Sequence, residues 1–136
     1  MGHDDDAIAD FEMALQVAPA GWPHRASIRA RIADRVAGRL FQEGSRLLEQ
    51  KKYREAIEKF SEIVSAWRRS QQAMPAAYNV ACGYSLLGEK SKALEWLEKA
   101  VEMGWKDVTH LEKDSDLDSL REETGFKKLL GKLKGE

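Results

Sequence analysis

The stretch Tyr78-Asn79-Val80-Ala81-Cys82-Gly83-Tyr84-Ser85-Leu86-Leu87-Gly88 decides the fold of this chain. Its apolar residues recur at the three- and four-residue steps of one helix face, and Gly88 is typical of a helix end. The same periodicity returns at Ala93, Leu97 and Ala100, in a segment that ends at Gly104. Two short helices joined at a glycine predict an antiparallel helix hairpin.

This hairpin has counterparts elsewhere in the chain. One pattern occurs three times in the chain. It begins with a small residue, has a large apolar residue four positions after it, and has a further apolar residue seven positions after it. Gly44 precedes Ala56 by 12 residues, and Ala81 precedes Ala93 by the same interval. Antiparallel helices approach closely only where a small side chain lies at their crossing, and these four residues fit that role. The three occurrences are Ala7-x3-Phe11-x2-Ala14, Ala56-x3-Phe60-x2-Ile63 and Ala93-x3-Leu97-x2-Ala100.

The pattern resembles the tetratricopeptide repeat, whose helix pairs carry an aromatic-x2-Leu-Gly-x2-Tyr motif followed by Ala-x3-Phe and Pro. The resemblance implies an all-α fold, a tetratricopeptide-like helix-hairpin array (an α-α superhelix) with a C-terminal capping helix. No alternation of period two persists long enough to predict a strand.

The repeat boundaries predict one domain over residues 1–136. It comprises a half repeat and turn (1–22), a first full repeat with an extended first helix (23–70), a second full repeat (74–104) and a capping tail (105–136). The extended helix, from Pro23 to about Gln50, is predicted as one helix or two, with Gly38 as its weak point. Arg68 and Trp105 replace the prolines of the repeat motif, which favours helices that run on past those positions.

Composition limits the classes of function. The 136 residues carry a net charge of −1, a single cysteine and no apolar run long enough to span a membrane. These properties favour a soluble protein of a reducing interior, cytoplasmic or inside an organelle, and disfavour a strongly basic nucleic-acid binder.

The resemblance implies a concave groove lined by the first helices of the repeats, where relatives bind extended or helical peptides. The predicted function is therefore a non-catalytic protein–protein interaction module whose partner is another protein. The alternative that the long first helix or the tail fills this groove stays open. Tetratricopeptide proteins that bind the C-terminal carboxylate of a chaperone use Lys and Asn side chains at defined positions of the groove. Only Asn79 matches these positions, because Phe41 and Ser45 stand where Lys and Asn are needed. The groove residues are predicted to be Phe41, Ser45, Leu48, Tyr78, Asn79, Cys82 and Leu86.

Charge is distributed unevenly along the N-terminal part of the chain. Residues 1–20 hold five acidic residues and no Lys or Arg, giving −5, whereas residues 21–46 hold six arginines and two acidic residues, giving +4. An alternative function follows, a structural assembly or homodimerisation element that uses the N-terminal and Arg-rich helices. Arg31, Arg35 and Arg39 form an electrostatic patch along one helix flank, although RNA binding is the weaker interpretation.

No catalytic site, metal site or cofactor is predicted. Asp114, Asp116 and Asp118 are spaced like the start of a calcium loop, but Ser119 and Gly125 stand where the loop needs Gly and Glu. We interpret these aspartates as helix caps and solvated turns. Cys82 is interpreted as a small helix residue rather than a nucleophile.

Overall fold

A computed structural model describes residues 25–135 of this chain. Within that range the backbone is helical without a β-strand, which confirms the all-α prediction. The predicted half repeat (1–22) lies outside the described residues. The helices are α1 (Arg25–Glu49), α2 (Tyr53–Ala66), α3 (Ala73–Leu86), α4 (Lys90–Glu102), α5 (Val108–Lys113), a 3₁₀ helix (Ser115–Leu120) and α6 (Thr124–Leu133).

The helix α1 is a single element of 25 residues, which resolves the question of one helix or two. Gly38 lies inside it without interrupting it, because the cost of one glycine, about 1 kcal/mol, is small beside the packing of the rest. The helix is about 38 Å long at the usual rise per residue, whereas the 14 residues of α2 span about 21 Å. The N-terminal part of α1 therefore projects beyond its partner.

Consecutive helices pack against one another from α1 to α4. The close approach of α1 to α2 depends on Gly44, because a Cβ atom there would lie 2.7 Å from Cζ of Phe60. Gly83 plays the same part between α3 and α2, where a Cβ would lie 2.7 Å from Cγ1 of Ile57. The small residues predicted at the other crossings, Ala56, Ala81 and Ala93, are fully buried.

The ends of the helices differ from the predictions in two places. The chain leaves α2 after Ala66 and α4 after Glu102, so neither helix runs on through Arg68 or Trp105. The second departure is caused by Gly104, whose φ of +117° is a conformation that other residues rarely adopt. The start of α3 at Ala73 lies one residue before the predicted second full repeat (74–104), and Pro75 is tolerated there because it lies in the first helical turn.

The tail folds back over the last helix pair. Asp107 caps α5 by accepting the His110 N–H at 3.0 Å, and Asp114 caps the 3₁₀ helix by accepting the Asp116 N–H at 3.0 Å. The 3₁₀ helix packs on α3 and α4, and α6 packs on α4 and α5. The tail side chains that enter the core are Leu111, Leu117, Leu120 and Phe126, all at most 1% exposed, and Leu129 at 8%.

None of the helices in residues 25–135 combines the length and apolar character needed to cross a bilayer.

We predict opposite effects for the same substitution at two glycines of α1. Gly44→Ala should destabilise the fold by about 1–3 kcal/mol, because its methyl group would collide with the Phe60 ring. Gly38→Ala should stabilise it by up to about 1 kcal/mol, since the nearest atom of residues 25–135 to a new Cβ, Nε2 of Gln72, is 3.9 Å away and alanine favours the helix. Urea unfolding of both variants measures the difference; equal midpoints would contradict the proposed crossing.

Candidate functional site

The side of α3 that faces the tail carries Tyr78, Cys82 and Ser85, which are spaced four and three residues apart and share one helix face. All three are buried, at 3%, 2% and 3% exposure. The 3₁₀ helix lies across them, and the Ser85 and Ser119 hydroxyls are 2.7 Å apart. Ser119 also donates to the Ser85 carbonyl at 3.0 Å. This face of α3 is therefore occupied by the chain's own tail.

Asp114 is the polar centre of this contact. Its Oδ2 accepts the Tyr78 hydroxyl at 2.6 Å and the Cys82 thiol at 3.8 Å, and it lies 3.3 Å from Nε2 of His110. Its other oxygen is the cap of the 3₁₀ helix described above. The Arg121 guanidinium adds a bond from Nη2 to the Asp114 carbonyl at 2.7 Å. A largely buried carboxylate is tolerated here because hydrogen-bond donors surround it.

Aromatic rings close the site on one side. The Tyr78 and Trp105 rings are stacked, with centroids 4.0 Å apart and planes 6° from parallel. The His110 ring is tilted against both, at 5.4 Å from Tyr78 and 5.7 Å from Trp105. Such contacts add stability beyond the burial of area alone. The turn at Gly104 is what brings Trp105 back over α3.

The environment keeps protons on the groups around Asp114. Burial, followed by the negative charge of Asp114, raises the pKa of the Cys82 thiol well above its ordinary value. Burial likewise raises the pKa of the Tyr78 hydroxyl, and the hydrogen bond to Asp114 adds to this. Burial and then the carboxylates of Asp114 and Asp118 raise the pKa of Asp116. The site therefore holds a protonated thiol and phenol as donors to one carboxylate.

One group of metal-ligating atoms occurs in residues 25–135. Sγ of Cys82 and carboxylate oxygens of Asp114 and Asp116 lie within 4.8 Å of one another. Burial and the charge of Asp114 raise the pKa of the Cys82 thiol, so a metal ion would have to displace the thiol proton in order to bind there. Asp114 also has its oxygens engaged as hydrogen-bond acceptors, in agreement with the interpretation of this aspartate as a helix cap.

The structure separates the predicted groove residues into two sets. Tyr78 and Cys82 face the tail rather than an open groove, because Asp114 and the 3₁₀ helix cover them. Leu86 is 38% exposed. Phe41 is half-buried, with its ring edge against Phe60 at a centroid distance of 5.2 Å. Ser45, Leu48 and Asn79 are also half-buried.

The predicted arginine patch is partly neutralised. Nε of Arg39 lies 3.5 Å from a carboxylate oxygen of Glu43, whose second oxygen lies 3.6 Å from Nζ of Lys59. Arg31 and Arg35 are exposed on the same helix, and Arg35 is not without a partner.

Sequence reasoning missed the network that connects α3 to the tail. Trp105, His110 and Ser119 carry no predicted role in a site, and Asp114 is predicted only as a cap. The sequence does contain one indication of this network. Cys82 and Ser85 are small and polar, which is unusual on a helix that is buried on several sides and indicates a polar contact there.

We predict that the Tyr78 hydroxyl stabilises the tail. Tyr78→Phe keeps the stack on Trp105 but removes a bond to a charged acceptor, and should cost about 1.5–3 kcal/mol in the free energy of unfolding. Tyr84→Phe is the matched control, since the Tyr84 hydroxyl makes no hydrogen bond with the described residues. Equal urea midpoints for the two variants would show that the bond contributes nothing.

We predict that Asp116 destabilises the fold at neutral pH. A raised pKa in the folded chain means that the folded state binds this proton more tightly, so stability falls as pH rises from the unfolded value of about 3.9 through the raised folded value. Asp116→Asn should raise the urea midpoint at pH 7 and have no such effect at pH 3. Glu95→Gln, at an exposed position of α4, is the matched control and should not raise it. An unchanged midpoint for Asp116→Asn at pH 7 would contradict this.

Comparisons with known proteins give a family and one relative. A chloroplastic protein of Arabidopsis thaliana is 36% identical over 89 residues, which are 65% of this chain and 27% of that protein. The chain thus spans about a quarter of the length of this curated relative. No solved structure matches. Residues 42–129 match the model of one family. The match begins in the C-terminal half of α1, ends in α6 and covers more than half of the chain. The protein therefore belongs to the family described as "Domain of unknown function (DUF6340)".

Proposed function

We propose that this chain is a tetratricopeptide-like interaction module that binds a peptide or helix of another protein and carries out no catalysis. Two helix pairs support the proposal, α1 with α2 and α3 with α4. Gly44 permits the close approach in the first pair, and the small residues Ala81 and Ala93, which the repeat motif places at the crossing of the second pair, are fully buried. Successive pairing of helices is the arrangement from which superhelical arrays are built.

The observation that carries the proposal is the exposure of Leu86, the large apolar side chain that residues 25–135 leave most exposed. Asn79 lies two helical turns before it on the same face of α3. The Asn79 amide is half-buried and makes no hydrogen bond with the described residues, so both of its polar atoms are available to a partner. An apolar contact beside an unpaired amide is the combination by which grooves bind a peptide and fix its register.

The partner would bind beside the tail and not in its place. Releasing the tail would expose Leu111, Leu117 and Leu120, all fully buried, at a cost of about 1.5–3 kcal/mol each. A peptide would have to supply this free energy in addition to the entropy that it loses on binding, which few peptides can do. We therefore propose a binding surface that consists of Leu86 and Asn79 with the predicted groove residues of α1, Phe41, Ser45 and Leu48, all of them half-buried or exposed.

A non-catalytic role fits the chemistry of the one thiol. Cys82 is buried and its pKa is raised, whereas a nucleophilic cysteine needs an accessible thiolate. The chloroplastic location in the relative's name agrees with a protein of an organelle interior, and we extend that location to this chain only as part of the proposal.

Selection of peptides from a random phage-displayed library on the full chain tests this proposal. Selected peptides should bind Leu86→Asp and Asn79→Ala at least about tenfold more weakly, which corresponds to about 1.4 kcal/mol. Leu86→Asp should lower the urea midpoint only modestly, because the side chain is 38% exposed and outside the core cluster, so that the main cost is a carboxylate at the last residue of α3.

Ser91→Asp, an exposed position on α4, is the matched control and should bind the peptides as the unchanged chain does. A selection without binders, or with peptides that bind the Leu86 and Asn79 variants equally well, would contradict the proposed groove.

A further inference from the structure

A second surface of the molecule is formed by Ile28, Ile32 and Val36, which we name the α1 stripe. These residues are four positions apart and follow one side of the part of α1 that projects beyond α2. Ile32 is buried, at 6% exposure. None of the three residues, however, is part of the connected cluster of buried residues around α2, α3 and α4 or packs against it, whereas Ala37 on the neighbouring side of α1 is part of it. The stripe is therefore an apolar helix side that the core does not use.

The stripe ends before a cleft at the other end of α1. This cleft of about 450 Å³ is lined by Leu47 with two cationic residues, Arg46 and Lys59, and three glutamates, Glu43, Glu55 and Glu58. Its excess of carboxylates does not suit an acidic ligand, so the surface for such a ligand is the stripe itself.

The surroundings of the stripe are cationic. Arg29, Arg31 and Arg35 are exposed in the same part of α1. The only acidic residue between them, Asp34, is turned to the loop after α2, where it accepts the Gln71 N–H at 3.2 Å. The complement of an apolar stripe with arginines beside it is an acidic amphipathic segment.

The chain contains one segment of that chemistry, residues 4–18, which lies outside the described residues. It holds five acidic residues without a Lys or Arg, and six apolar residues at helical spacing. Residues 19–24 join it to α1, and six residues reach at most about 20 Å. So short a connection gives the segment an effective concentration near its own α1 that is about millimolar, well above the concentration of a second copy in dilute solution. The apolar residues are Ala7, Ile8, Phe11, Ala14, Leu15 and Ala18.

We propose that the α1 stripe is the binding surface for the acidic segment 4–18 of the same chain, through apolar contacts to Ile28, Ile32 and Val36 and charge pairing with the neighbouring arginines. This interaction is independent of the proposed peptide groove. It makes Arg29, Arg31 and Arg35 a site for an internal acidic ligand and not for RNA.

A nitroxide spin label on Gln16→Cys tests the proposal in the full chain, with nuclear magnetic resonance of isoleucine methyl groups as the readout. The buried Cys82 should not react with the label, which treatment of the unchanged chain verifies. The Ile28 and Ile32 signals should lose intensity through their proximity to the label. Leu15→Asp should restore those signals, whereas Val17→Asp, which adds the same charge on the other side of the segment, should not.

Two results would overturn the proposal. Unchanged Ile28 and Ile32 signals would show that segment 4–18 does not bind the stripe. A loss of signal in a mixture of labelled and isotope-enriched chains would show that the segment binds a second copy, which is the homodimerisation alternative.

Discussion

The close approach of α1 and α3 to the two sides of α2 is the constraint on which the rest of the structure depends. Ile57 and Phe60 are one helical turn apart, and each meets a glycine, Gly83 and Gly44 respectively. Two side chains on one helix thus set the distances to both neighbours. Because α3 is held in this way, its opposite face is available to the tail, and Tyr78 and Cys82 meet Asp114 there.

The helical fold could be predicted because it depends on local and periodic information. Three- and four-residue spacing predicts α1 to α4, and the small residues at Gly44, Ala56, Ala81 and Ala93 mark sites that are indeed buried. The helix ends were harder, since the backbone turn at Gly104 outweighs the absence of a proline at Trp105. The periodic spacing of apolar residues does not predict whether a helix continues or ends at a turn, so it does not give the helix boundary.

The candidate site could be predicted only in part, because its contacts join residues more than 30 positions apart. The spacing of Tyr78 and Cys82 places them on one face of a helix, but spacing does not reveal what covers such a face. Asp114 reaches them only because Leu111, Leu117 and Leu120 fold the tail onto the last helix pair. The chemistry of the site, a carboxylate between a phenol and a thiol, is a product of packing rather than of a motif.

A short helix array has two ends, and each presents an apolar helix side that needs a cover. At the C-terminal end the tail covers α3 with fully buried leucines and a hydrogen-bonded aspartate. At the N-terminal end α1 offers Ile28, Ile32 and Val36 among arginines, a surface of different chemistry. Since the family match begins at residue 42, the projecting part of α1 lies outside the region shared with that family. The surface that we propose for a partner, with Asn79 and Leu86 on α3, is separate from both of these apolar helix sides.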